Sequence, residues 1–169
     1  MRADPLARAT ELQRLSFDLA AAGRFREALA AMQECLDLVV RACGQADPNV
    51  PVLLNNVGEL LRRSGDARAA ASRFREAIER MRRTGPPDPG AEGDVYSNLA
   101  LALLDLGQAE EAEEAAQAAA DRIGQARGQR DATLAPALGV LAEVAADRGE
   151  CDAAYAYARR IADIGRGSA

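Results

Sequence analysis

Four glycines, Gly23, Gly65, Gly107 and Gly149, recur at a constant interval of 42 residues. A fixed period kept over most of a chain means that one supersecondary unit is repeated and stacked on itself. Each glycine lies in a short polar break: Ala-Ala-Gly-Arg-Phe, Arg-Ser-Gly-Asp-Ala, Asp-Leu-Gly-Gln-Ala and Asp-Arg-Gly-Glu-Cys. The neighbours keep the same phase. Five places after the glycine stands Ala28, Ala70, Ala112 or Ala154. Twelve places after it stands Cys35, Ala77, Ala119 or Ile161. Seven before it is a small residue, Ser16, Gly58, Ala100 or Ala142, and eight before it Leu15, Val57, Leu99 or Leu141. Eleven before it comes Leu12, Leu54, Tyr96 or Leu138, and four before it Leu19, Leu61, Leu103 or Ala145.

Offsets of 11, 8, 7 and 4 fall on one face of a helix that ends at the glycine. The alanine after the glycine and the residue seven further on share a face of a second helix. A glycine between two helices reaches the left-handed conformation without steric penalty and caps the first. The small residues let the two helices approach closely. Each unit is therefore expected to be an antiparallel helical hairpin that buries its apolar face only by stacking on its neighbours. Composition agrees with an all-α protein: 49% of residues are apolar but only 4% are aromatic, and alanine, the best helix former, is abundant. The expected helices are 5–22, 25–43, 49–64, 67–83, 92–106, 109–125, 131–148 and 151–164. Joints are expected at Gly44–Pro48, Thr84–Gly93 and Gly124–Arg130, the middle one the most flexible. The whole chain, 1–169, reads as a single domain of four repeats, at 5–43, 47–83, 91–125 and 131–164.

Leu54, Val57, Gly58, Leu61, Gly65, Ala70, Phe74 and Ala77 together resemble a complete tetratricopeptide (TPR) signature. The 42-residue spacing resembles the long variety found in kinesin light chains and in the sensor arms of some signalling ATPases. Asp47-Pro48-Asn49-Val50 followed by Leu53-Leu54-Asn55-Asn56-Val57-Gly58 is similar to the start of a kinesin-light-chain repeat. The second unit matches best, the third has Ala116 in place of Phe74, and the first and fourth are degenerate, as terminal repeats are. The resemblance implies a right-handed superhelical α-solenoid of four helix-turn-helix hairpins whose first helices line a concave groove. It further implies a non-catalytic adaptor or scaffold that binds a partner protein or peptide. Within that class the chain resembles the bacterial kinesin light chains, which accompany bacterial tubulins, so one expected partner is a tubulin-like cytoskeletal filament. The alternative is a sensor or regulatory subunit of a bacterial signalling system acting in trans.

The first-helix residues that point away from the hairpin cores are the expected contacts. In the first unit these are Thr10, Gln13, Arg14 and Phe17, and in the second Val52, Asn55, Asn56, Glu59, Arg62 and Arg63. In the third they are Asp94, Ser97, Asn98, Leu101 and Asp105, and in the fourth Gly139, Val140, Glu143 and Asp147. The partner-binding set drawn from these is Arg14, Phe17, Asn55, Asn56, Glu59, Arg62, Arg63, Ser97, Asn98, Leu101 and Asp105. An asparagine amide both donates and accepts, so it can grip an extended peptide backbone of any sequence; in the resembling family asparagines at these places do so. A carboxylate clamp of the heat-shock-chaperone type also needs several basic side chains, and only Asn56 fits one. At the other end, Tyr155, Tyr157, Ile161 and Ile164 lie where a following helix would pack, and the sequence shows none. An exposed apolar end face of this kind is expected to support docking or weak self-association.

Other chemistry is poorly supplied. The chain has no His, no Trp and no Lys. That removes the commonest acid–base group and metal ligand, together with Schiff-base and phosphate-loop chemistry. No enzyme activity, metal or cofactor is expected. Arginine as the only basic residue is what a GC-rich coding bias gives, so a bacterial source is expected. A net charge of −5 disfavours general affinity for nucleic acid. Three cysteines without metal spacing do not form a disulfide framework, and Cys35 falls in a core register. No signal peptide and no membrane-spanning run is seen, so a cytoplasmic location is expected. Charge is uneven: the second unit carries eight arginines, whereas no basic residue separates Arg83 from Arg122. That pattern reads either as solvated helix faces or as a dipolar surface that orients docking.

Overall fold

A computed structural model describes residues 4–83, 85 and 88–166. Eight α-helices and one short 3-10 turn occur among them, without a strand: α1 (Pro5–Ala21), α2 (Phe25–Cys43), α3 (Asn49–Arg63), α4 (Ala67–Arg83), α5 (Pro89–Asp105), α6 (Ala109–Arg127), η1 (Ala132–Leu134), α7 (Ala135–Asp147) and α8 (Cys151–Arg166). The chain forms two compact units, Met1–Pro86 and Pro87–Ala169. In the first, α1 pairs with α2, α3 with α4, and α2 packs on α3. In the second, α5 pairs with α6, α7 with α8, and α6 packs on α7.

The periodic glycines end the first helix of each hairpin as the 42-residue phase requires. All four have positive φ, from 71° at Gly107 to 96° at Gly65. In the first hairpin Arg24 N donates to Leu19 O at 2.9 Å and Gly23 N to Ala20 O at 3.0 Å. The same pair of bonds recurs at Gly65, Gly107 and Gly149. This double bond is the Schellman motif, which satisfies carbonyls the helix leaves open. Its first acceptor is in every case the residue four before the glycine. A Cβ at any of these glycines would meet nothing within 4 Å, so conformation and not space selects glycine there.

The small register seven before the glycine is built differently in the first two hairpins. Ser16 is fully buried, and its Oγ donates to Ala28 O at 2.8 Å. The aromatic ring of Phe74 fills the space beside Gly58, where a Cβ would lie 2.5 Å from Cε1. Ala28, Ala70 and Ala112 are wholly buried, as are Ala77 and Ala119. The two outer hairpins depart from this. Leu15 is 46% exposed although Val57, at the same register, is 1% exposed. Val57 lies on a helix that packs against α2; among the described residues no helix precedes α1. Ala154 and Ile161 of α8 are likewise only half-buried.

Several boundaries differ from the sequence reading. Helix α5 starts at Pro89, three residues before the expected start, because Asp88 caps it: its Oδ1 accepts from Gly90 N at 3.0 Å. Gly90 and Gly93 thus lie inside a helix, where α6 presses on them. A Cβ on Gly93 would come within 2.7 Å of Ile123, and one on Gly90 within 2.9 Å of Arg127. Helix α6 continues past Gly124 to Arg127, and α7 begins with the 3-10 turn capped by Asp131. Thr84, Pro86 and Pro87 of the expected middle joint lie outside the described residues, as do Met1, Arg2 and Ala3 and the final Gly167, Ser168 and Ala169.

Candidate partner-binding site

In the first unit the expected contact residues lie on α1 and α3. Arg14 and Phe17 are exposed on α1, Phe17 to 52%. On α3, Asn55, Asn56 and Glu59 are half-buried. Glu59 holds both following arginines: Arg62 Nε lies 3.3 Å from its Oε2 and Arg63 Nε 3.8 Å from its Oε1. The Arg63 guanidinium also stacks 4.8 Å from the centroid of the Phe25 ring. Arg63 therefore belongs to the hairpin tips, beside Gly23, Arg24 and Ser64, where a hollow of about 360 Å³ opens.

A different recess lies between α1, α2 and α3, with a volume of about 380 Å³. Its floor is apolar: Ala9, Val39 and Leu53 are all buried, and Cys35 is 2% exposed. Burial pushes the Cys35 thiol pKa up. Leu6 and Val52 stand at the rim, 43% and 48% exposed. Thr10, Gln13, Asn49, Asp47 and the exposed Cys43 complete it. None of the eleven residues of the expected binding set lines this recess. Thr10, Gln13 and Val52 are legible as outward residues of the first helices. Leu6 and Asp47 are not, because their place depends on how the joint at Gly44–Pro48 brings α3 beside α1.

A larger hollow of about 620 Å³ borders α4. One of its two lining arginines, Arg80, is committed to the fold. Arg80 Nη1 donates to the Gln45 backbone oxygen at 3.0 Å and to its side chain at 2.6 Å, while Nε and Nη2 donate to Glu76 Oε1 at 3.1 and 2.8 Å. Arg73 Nη1 reaches the other Glu76 oxygen at 2.9 Å. Burial works to raise the Glu76 carboxyl, but the hydrogen bonds from Arg80 and Arg73 outweigh it and hold the group below its ordinary value.

In the second unit Asn98 and Leu101 are half-buried on α5 and Asp105 is exposed. Ser97 does not join them. It is 4% exposed, and its Oγ has no hydrogen-bond partner among the described residues. The outward readings of Ser97 and of Val140, 1% exposed on α7, are therefore corrected: α5 and α7 pack against each other and both against α6, so more of their circumference is covered than a single hairpin requires. Two carboxylates from the stretch between Arg83 and Arg122 are also engaged. Glu92 is 5% exposed and meets Arg122 Nε at 3.0 Å, with the Arg122 guanidinium 4.7 Å from the centroid of the Tyr96 ring. Asp94 takes two bonds from Arg127, at 2.8 and 2.7 Å, and Arg127 continues to Thr133 Oγ1 at 2.9 Å. On α8 Tyr155 is 70% exposed, and Tyr157 and Ile161 are half-buried. Ile164 is 4% exposed, so it is corrected from end-face contact to core.

Among the described residues no group of three or more potential metal ligands comes together, and no helix is long and apolar enough to cross a membrane. Two family models, both described as tetratricopeptide repeat, match residues 6–83 and 93–131. No curated protein matches the sequence. Solved structures do match in fold. BtubC (BKLC) from P. vanneervenii superposes with a TM-score of 0.83 at 20% identity over 99% of this chain. A kinesin-light-chain-like protein of Podosopora anserina, built of nearly identical TPR-like repeats, gives 0.77 at 14% identity over 99% of this chain and 79% of its own. A Rap protein complexed with Competence and Sporulation Factor gives 0.80 at 16% identity over 98% of this chain. The chain spans 66% of the length of BtubC and 44% of the Rap protein. With its glycine-capped hairpins, its small-residue crossings and both family matches, the chain belongs to the tetratricopeptide repeat family, in the all-α repeat fold of kinesin-light-chain-like proteins.

Proposed function

We propose that this chain is a non-catalytic adaptor that holds a partner protein or peptide on the outward faces of its first helices. The observation that carries this reading is the pair Asn56 and Asn98. They stand 42 residues apart at one register of the repeat, on α3 and α5, and each is half-buried. Amides so placed can exchange hydrogen bonds with a peptide backbone without regard to its sequence. The partner we favour is a tubulin-like filament bound in the cytoplasm; the likeness to BtubC (BKLC) supports it. The likeness to a Rap protein complexed with a factor supports a second reading, a regulatory subunit whose ligand is a peptide. Tyr155, exposed on α8, makes that end the candidate for weak self-association.

Affinity capture from the native cell, with the intact chain and with Asn56→Ala and Asn98→Ala combined, tests the assignment. A partner should be retained by the parent and lost from the double variant. Equal recovery by both sinks the role of the two amides. Co-pelleting with the captured partner after its assembly separates the filament reading from the peptide reading.

A further inference from the structure

We infer that the recess between α1, α2 and α3 is an anchor site for an apolar side chain of the partner that has a cationic group beside it. The inference rests on the protein-binding reading above and adds the chemistry of the ligand. The recess has a buried apolar floor, and two apolar side chains, Leu6 on α1 and Val52 on α3, face its opening while nearly half-exposed. Nothing among the described residues covers it. Its volume of about 380 Å³ lies at the lower end of ligand pockets generally. A leucine- or methionine-sized group entering it would remove both rim side chains from water as well as itself.

Charge decides what accompanies that group. The first unit carries fourteen arginines, yet none lines the recess. A terminal carboxylate or phosphate would find no cation there. The one charged side chain present is Asp47. Asn49 directs both its backbone N–H and its Nδ2 to the same Asp47 oxygen, Oδ1, at 2.8 and 2.9 Å. The second oxygen, Oδ2, accepts nothing from the described residues. The carboxylate is thus held in place through one oxygen and offers the other at the rim. An arginine, lysine or free amine next to the apolar anchor complements it, whereas an acidic neighbour is repelled.

Selection of a displayed random peptide library on the intact chain tests this. The parent should enrich peptides with a large aliphatic residue flanked by arginine or lysine. Asp47→Asn keeps an oxygen for the two bonds from Asn49 but removes the charge. It should weaken the enriched peptides about fivefold, the scale of one exposed ion pair, and lose the basic preference while keeping the aliphatic one. Val52→Arg, at an exposed position, should weaken them about tenfold or more. Bound peptide should slow thiol labelling of Cys43, which lines the recess, and leave Cys151 of α8 unchanged. Helix content by circular dichroism confirms that both variants fold. Peptides that lack the motif, or that bind Val52→Arg as well as the parent, overturn the inference. Peptides that depend on Asn56 and Asn98 but not on Val52 or Asp47 overturn it while leaving the adaptor reading intact. If no peptide is enriched, the anchor inference fails, while the adaptor reading is still decided by capture of a folded partner.

Discussion

Gly58 and Gly139 both sit inside first helices of hairpins, and their substitution by alanine should have opposite effects. A Cβ at Gly58 would lie 2.5, 2.8 and 2.9 Å from three carbons of Phe74, a side chain with no exposure and no room to retreat. Gly58→Ala gains about 1 kcal/mol of helix propensity, but the forced overlap should make it a net loss of about 1–3 kcal/mol. A Cβ at Gly139 meets nothing within 4 Å. Gly139→Ala should therefore stabilise by about 0.5–1 kcal/mol. Urea unfolding of the two variants beside the parent checks both signs. The requirement for a small residue seven before each glycine was legible in the sequence, since four units repeat it. The partner that imposes it was not: a serine hydroxyl bonding a carbonyl in one hairpin and an aromatic ring against a glycine in the next satisfy the same spacing. Leu15 shows the converse. Its register marks it as core, but a register names a face and not what lies against that face.

At the scale of the element, helix α4 is tied to the turn before α3 through Arg80, and Glu76 orients that arginine together with Arg73. The Glu76 carboxyl has a folded value below the ordinary 4.5. A group depressed on folding contributes its stability above the unfolded value and loses it as pH falls through the folded one. Glu76→Gln should therefore cost stability at pH 7, on the order of 1 kcal/mol. The difference from the parent should shrink as the solution is acidified below pH 4.5. Denaturant unfolding at neutral pH and at about pH 3 measures this; a gap that stays constant would show that the carboxylate charge is not what matters. Seven of the eight helices begin within two residues of their expected starts or follow a short 3-10 turn that does. The exception, α5, was hidden because Gly90 and Gly93 resemble loop residues. Only the closeness of Arg127, Arg122 and Ile123 on α6 explains why glycine is required inside that helix. The recess in the first unit was hidden for a related reason, since three helices and a joint contribute to it and no single helix face displays it.

The two units carry unlike charge: fourteen arginines against eleven carboxylates in the first, a net of +3, and seven against fifteen in the second, a net of −8. Like charge crowded onto a small unit opposes its compact state, and salt screens that repulsion. Raising sodium chloride from about 0.02 to 0.5 M spans Debye lengths from roughly 20 Å down to a few ångströms. Over that range, amide hydrogen exchange in α6 should slow more than in α4, followed by mass spectrometry on the intact chain. Equal changes in both helices would indicate that local ion pairs such as Arg148–Glu113 outweigh the net charge.

Taken alone, the order of residues determined the number of helical hairpins, where each first helix stops and which positions must be small. Those properties follow from backbone conformation and from a period short enough to be read locally. Only the tertiary structure decided that Ser97 and Ile164 are covered, that Glu92 and Asp94 are engaged by arginines, and that Leu6, Val52 and Asp47 border one recess. Each of those outcomes depends on side chains about thirty or more residues apart meeting in space, and a repeat period specifies which faces are equivalent, not what comes to rest against them.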